Sequence, residues 1–215
     1  MKQVVVIGLG IFGSNIARML FENGFDVVAI DKSKEMVQRM ANYSTRAIVA
    51  DATDKSVLEA IGIQPDDLVI VSFGEDLAAS TILTLHLREM GVKTIIVKAP
   101  HEDHKRILQM VGATEVIIPE QEMARRVAKS IIAPNVLDFL ALSDGFVISE
   151  VAPPPSFIGK SFSDLHLRSR FGVTVLAIRD ALTDQVRMVP SPSFIIKDSD
   201  ILVVIGKEED IRKMK

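Results

Sequence analysis

Val4-Val5-Val6-Ile7-Gly8-Leu9-Gly10-Ile11-Phe12-Gly13 decides how this chain is read. An apolar run of strand length leads straight into three glycines spaced Gly-x-Gly-x-x-Gly. A helical pattern follows through Ile16, Ala17 and Leu20, then Gly24, then a second apolar run ending in Asp31. The order is strand, glycine turn, helix, strand, acid. Each glycine has a physical job: Gly8 turns the chain tightly out of the strand, Gly10 leaves room for a phosphate to approach the backbone, and Gly13 lets the helix pack close to the sheet. The helix start then offers N–H groups and a positive dipole end to an anion. Asp31, eighteen residues past Gly13, is placed to accept hydrogen bonds from ribose hydroxyls. Together these features point to a nucleotide or dinucleotide, the alternative being a glycine turn that only packs. A carboxylate at 31 suits a free 2′-hydroxyl and repels a 2′-phosphate, which disfavours NADP, although Lys32 and Lys34 stand beside it. ATP, ADP, AMP and NAD(H) all share the adenine, ribose and phosphates that this pattern accommodates.

Composition narrows the class. At 215 residues, 48% apolar and 25% charged, the chain has material for one large or two small domains with a sizeable core. A formal net charge of −3 argues against a nucleic-acid surface. With no cysteine there are no disulfides, thiolate metal sites or cysteine nucleophiles, and a reducing compartment is favoured. Met1-Lys2 runs directly into the first strand, so no signal peptide is expected. The longest apolar runs fall short of the ~20 residues a membrane helix needs.

The alternation continues after Asp31. Helices are expected over 33–42 with Ser33 as N-cap, 54–61, 76–90 and 102–111, the last two closed by Gly91 and Gly112. Between them come strands at 46–50, 68–72, 94–98 and 115–118. Six strands with short helical crossovers make a parallel, doubly wound sheet of Rossmann type. From 120 to 142 the apolar positions Met123, Val127, Ile131, Ile132, Val136, Leu137, Phe139 and Leu140 predict a helix pair split at Pro134, with an apolar face suited to subunit contact. Residues 145–215 read as a small, mostly antiparallel α+β domain, with strands at 147–151, 173–179, 186–189 and 201–205, a helix over 163–168 and a final helix near Glu208. The expected division is thus a nucleotide-binding domain at 1–119, linking helices at 120–143 and a second domain at 144–215.

Several segments resemble the cytosolic regulatory subunits of Trk/Ktr potassium-uptake systems, built from the RCK or KTN domain. They are Val-Ile-Gly-Leu-Gly-Ile-Phe-Gly (6–13), Ala-Ile-Asp (29–31), Ala-Asp-Ala-Thr (50–53), Ala-Ser-Thr (79–81), Val-Lys-Ala (97–99) and Ile-Pro-Glu (118–120). In the second half they are Ile-Gly-Lys-Ser (158–161), Leu-Arg-Ser-Arg-Phe-Gly-Val-Thr-Val-Leu-Ala-Ile (167–178) and Asp-Ile-Leu-Val-Val-Ile-Gly (200–206). The resemblance implies a non-enzymatic protein, an octameric ring assembled from dimers on the cytoplasmic face of a potassium-translocating membrane partner. It implies gating by nucleotide bound in the N-terminal domain. Where many members carry Arg, this chain has Ile11, which cannot reach a terminal phosphate, so ATP-over-ADP discrimination and NAD(H) stay open.

The candidate nucleotide residues are Gly8, Gly10, Ile11, Phe12, Gly13, Asp31, Lys32, Asp51, Ala52, Thr53, Ser72, Phe73, Gly74 and Lys98. Asp51, Ala52 and Thr53 end the third strand beside adenine or its ribose, with helix capping by Thr53 or Asp54 as the alternative. Ser72, Phe73 and Gly74 form the opposite wall, and Lys98 is the candidate for phosphate charge, with a solvated strand-end lysine as the alternative. Glu120 reads from its position as a first-turn acid on a helix dipole. By resemblance it binds Mg²⁺, Ca²⁺ or Na⁺ between the nucleotides of a dimer. His101 and His104 lack a third metal ligand and read as a solvated helix face. Some relatives bind cyclic di-AMP in the second domain; the corresponding stretch here is Phe162 to Phe171, with Arg168 and Arg170, and His166 where Asn is more usual, the alternative being a dimer interface without ligand. The rival functions are an NAD-dependent oxidoreductase and an oligomeric scaffold with a vestigial nucleotide site.

Overall fold

The computed structural model describes residues 3–73, 76–132, 136–142 and 145–214. The chain separates into two compact units, Met1–Glu122 and Met123–Lys215.

In the first unit, strands β1 (Val4–Ile7), β2 (Val27–Asp31), β3 (Arg46–Val49), β4 (Leu68–Val71), β5 (Thr94–Lys98) and β6 (Glu115–Ile117) alternate with helices α1 (Ile11–Glu22), α2 (Lys34–Met40), α3 (Lys55–Ile61), α4 (Leu77–Glu89) and α5 (Glu102–Val111). The strands form one sheet in the order β3-β2-β1-β4-β5-β6, every pairing parallel. All four residues of β1 are buried, because helices cover both faces of a parallel sheet. The strand period of two then sorts its side chains. Val5 and Ile7 pack with Leu58, Leu83 and Leu108; Val4 and Val6 pack with Ala17, Val37 and Met40. The sheet order reverses direction between β1 and β4, and ligands of such folds bind outside the carboxyl ends of the strands at that point.

Helix ends follow local chemistry. Ser33, Asp54 and Asp76 each accept a backbone N–H from the first turn of α2, α3 and α4. Gly62 and Gly112 close α3 and α5 in the left-handed conformation.

Helix α6 (Pro119–Ile132) carries Met123, Val127 and Ile131 exposed along one side. The second unit holds β7 (Val136–Ala141), β8 (Phe146–Val151), β9 (Thr174–Asp180), β10 (Val186–Met188) and β11 (Asp200–Lys207), in the order β10-β9-β11-β8-β7, all antiparallel. Helices α7 (Phe162–Leu165), α8 (Leu167–Phe171) and α9 (Glu208–Ile211) complete it. Val147, Val151, Leu165, Leu167, Ile178, Leu202, Val204 and Ile211 make its core.

Two expectations are corrected. The second half of the anticipated helix pair is the strand β7, hydrogen-bonded to β8. A short apolar run satisfies a period of two as readily as one of 3.6, and the free edge of β8 decides. Pro134, the expected kink, lies outside the described residues. The helix expected over 163–168 is two short helices, because His166 adopts φ +48° between them. No described helix is long and apolar enough to cross a membrane.

Candidate functional site

Gly8 follows β1 with φ +91°, a conformation that favours glycine, and a Cβ there would stand 2.8 Å from the Ser72 carbonyl oxygen. Its N–H donates to Ile30 O at 2.9 Å, and Ser72 N–H donates to Ile7 O at 2.7 Å, so the loop is held between β2 and β4. A Cβ on Gly13 would lie 1.9 Å from Gly8 O; only glycine lets α1 start this close to the strand it follows. At Gly10 the reverse holds: no atom lies within 4 Å of the Cβ position, which faces open space. Gly10 gives α1 no side-chain cap, and the first turn has no acid. The first helical bond is Ser14 N–H to Gly10 O at 2.9 Å. Among the described residues no acceptor meets the N–H groups of Ile11, Phe12 and Gly13, a set of donors at a positive helix end that suits an anion. Ile11 is 88% exposed at this end and offers no charge.

Asp31, the last residue of β2, ties this loop to the rest of the edge. One carboxylate oxygen accepts Leu9 N–H at 2.6 Å and the other accepts Ser33 N–H at 2.8 Å. Each oxygen keeps lone-pair capacity for a further donor. The acid read from the sequence as a ribose acceptor therefore also sets the Gly-loop position.

A cleft of about 340 Å³ opens beside Asp31, within the range of roughly 300–1,000 Å³ typical of small-ligand sites. It gathers Asp31, Lys32, Asp51, Ala52, Thr53 and Phe73 from three different strand ends. Asp51 accepts both the Thr53 hydroxyl at 2.7 Å and its N–H at 3.0 Å, bonds that hold its carboxyl below the usual range. Asp54, not Thr53, caps α3, through Ser56 N–H at 2.9 Å. Sequence reasoning missed the other wall: Asp76, Ala79 and Ile82 of α4 line the same cleft. Its signal was the Asp76 cap, three residues before the quoted Ala-Ser-Thr. Gly8, Gly10, Ile11, Phe12, Gly13, Ser72 and Lys98 do not line it, and Gly74 lies outside the described residues.

Lys98 ends β5 with its side chain 14% exposed, and its ammonium meets Glu120 Oε1 of α6 at 2.5 Å. That ammonium holds the Glu120 carboxyl below its usual range. Among the described residues no three metal-ligating side chains come together, and the Glu120 carboxylate is already engaged by Lys98.

The histidine expectation is half corrected. His101 is exposed and caps α5, its Nδ1 accepting His104 N–H at 3.2 Å. His104 is not on a solvated face: it is 2% exposed, on the face that also buries Leu108.

The second unit has a groove of about 640 Å³, lined by Phe162, His166, Arg168, Val175 and Pro190 among others. Arg168 reaches it. Arg170 does not line it, and its guanidinium instead stands 5.0 Å from the ring centre of Phe171. His166 sits in the left-handed conformation, which Asn tolerates well, so the more usual residue there has a backbone reason.

Residues 4–119 match the TrkA-N domain and residues 146–215 the TrkA-C domain. Ktr system potassium uptake protein C of Bacillus subtilis (strain 168) is 38% identical over 214 residues, covering 100% of this chain and 96% of that protein. Ktr system potassium uptake protein A of the same organism is 37% identical with the same coverage. Among solved structures, the GsuK channel bound to NAD shares the fold at a TM-score of 0.63 and 16% identity, covering 97% of this chain and 38% of that one. With both domains matched in order and such identity along the whole length, the chain belongs to the TrkA-N/TrkA-C family of Ktr-type potassium uptake proteins.

Proposed function

We propose that this chain is the nucleotide-sensing regulatory subunit of a potassium-uptake system and not an enzyme. An adenine nucleotide, ATP, ADP or NAD(H), binds at the carboxyl edge of the first sheet. The observation that carries this reading is the uncapped start of α1, with Gly10 facing open space, joined through Asp31 to a cleft of ligand size. Phosphates take the first-turn N–H groups, the ribose takes Asp31, and the cleft between Ala52 and Ile82 takes the base. Lys98 contributes phosphate charge on leaving Glu120, and Glu120 in turn becomes available to a hard cation at a twofold contact. Family membership supports the potassium-uptake role.

Nucleotide can gate only by binding one shape of the assembly better than another. The exposed apolar side of α6 supports contact between copies, and an octameric ring at the cytoplasmic face of a membrane-embedded partner is the assembly in this reading. The nucleotide domain lies at 1–119 and the second domain at 144–215, and of the connecting residues 120–143 those of β7 join the second domain's sheet. The groove at Arg168 and His166 supports cyclic di-AMP as a second effector.

The test is thermal unfolding with ATP, ADP, NADH and NADPH, for the native chain and Asp31→Ala. A ligand at 100 times its Kd adds about 2.7 kcal/mol. ATP, ADP or NADH should raise Tm, NADPH should do so least, and Asp31→Ala should lose the shift. No shift with any nucleotide would leave the scaffold reading in its place, and hydride transfer to a small substrate would restore the oxidoreductase.

A further inference from the structure

His104 of α5 is buried against α4, where its surroundings favour the neutral ring. Its Nε2 lies 3.4 Å from Ser80 Oγ and 3.3 Å from Thr81 Oγ1. Both hydroxyls have backbone acceptors in reach: Ser80 Oγ lies 3.1 Å from Asp76 O and from Leu77 O, and Thr81 Oγ1 donates to Leu77 O at 2.7 Å. The neutral tautomer that uses both contacts carries its proton on Nε2, with the two hydroxyls accepting. Nδ1 is buried and has no partner among the described residues. A second proton would sit on Nδ1, creating a charged donor with no acceptor, in a site water does not reach.

Of the neighbours, the Leu77 carbonyl favours the charged ring, but less than burial and His101 disfavour it. From α4 the ring faces two hydroxyls and the Leu77 carbonyl. Asp76 lies a turn away, its carboxylate accepting Ala79 N–H at 2.9 Å. From α5 itself the ring faces His101, 6.2 Å between ring centres, which repels when charged. β6, also packed on α5, brings Glu115, which is exposed. Burial first, and His101 second, hold the His104 pKa below its usual value.

We propose that His104 is a proton-sensitive latch between α5 and the first half of α4, and that acid releases it and loosens the α4 wall of the nucleotide cleft. Ser80 and Thr81 directly follow Ala79, which lines that cleft with Asp76 and Ile82. Coupling to ligand rests on the nucleotide reading above; the latch itself does not.

The experiment is hydrogen–deuterium exchange of α4 in the full chain without nucleotide, corrected for the intrinsic pH dependence, followed by ADP affinity over the same range. If the opened state titrates near the ordinary imidazole value of about 6.5, opening of α4 rises about tenfold from pH 7.5 to 5.5. His104→Gln, neutral throughout, should flatten this rise; His104→Phe serves if Gln disturbs the fold. His101→Ser, which keeps an acceptor for the α5 cap, should retain it. The same pH slope in the native chain and both His104 variants overturns the latch. A latch that opens while ADP affinity stays constant overturns the coupling. ADP failing to bind at pH 7.5 sinks the nucleotide reading and the coupling with it, leaving the latch decided by exchange alone.

Discussion

The two sheets bury themselves by different rules. In the first, β1 is buried on both faces and β2 nearly so, because α-helices cover each side of a parallel sheet. In the second, β8 alternates exposed, buried, half-buried, as one face packs and the other meets solvent. The first sheet therefore spends its side chains on packing and leaves chemistry to the loops at one edge, where strand ends, a bare helix start and Asp31 meet. The second puts its groove against short helices and a hairpin. A continuous apolar run is thus a mark of scaffold here, and the candidate site gathers in the punctuation after the runs.

Gly13→Val is the harshest test of that division. Its side chain would run into Gly8 O, and we expect a loss of about 3 kcal/mol or more, read as a lower Tm of the first unit. Near-native stability would mean that the close helix–strand contact does not hold the edge together. Leu202→Ala, fully buried in the other core, should cost about 2–5 kcal/mol while leaving ADP affinity intact once folded. A fall in affinity would show that the two units are not energetically separate.

Gly10→Val separates scaffold from function within one loop. With φ −64° and open space at its Cβ, valine fits, and stability should move by less than about 0.5 kcal/mol. Nucleotide affinity should nonetheless fall at least about tenfold, the effect of losing roughly one charge-assisted hydrogen bond. Intact affinity by calorimetry would place the phosphates elsewhere.

The smallest effect belongs to Glu120→Gln. Lys98 lowers the Glu120 pKa, so the pair stabilises the folded state above the ordinary carboxylate value and that stability fades as pH falls through the lowered one. Glu120 is 64% exposed, which limits the contribution at pH 7 to about 1 kcal/mol or less. The Tm difference between the two proteins should close in acid. A difference that persists there would mean the pair is not what Glu120 contributes.

Much of the first unit was legible because its signals are local. Ser33 and Asp54 start helices by accepting nearby N–H groups, Gly112 ends one at positive φ, and the Gly-x-Gly-x-x-Gly loop states its own backbone needs. The misreadings fall where the partner is remote. Residues 136–141 could be helix or strand until β8 supplied hydrogen bonds. His104 shares an i, i+4 face with Leu108, a signal present in the sequence and outweighed by the charged residues around it.

The sequence by itself determined the strand–glycine–helix unit, its acid and the alternation that forces a parallel sheet, since these depend on φ, periodicity and capping within a few residues. Only the tertiary structure decided that β4 lies beside β1, and hence that Asp76, Ala79 and Ile82 face Asp51 and Thr53 across one cleft. It also decided that Lys98 meets Glu120 and that Asp31 holds the Leu9 N–H. The reason is physical: sheet order and helix packing bring residues dozens of positions apart within hydrogen-bonding distance, and no local pattern encodes which strand end will be the neighbour.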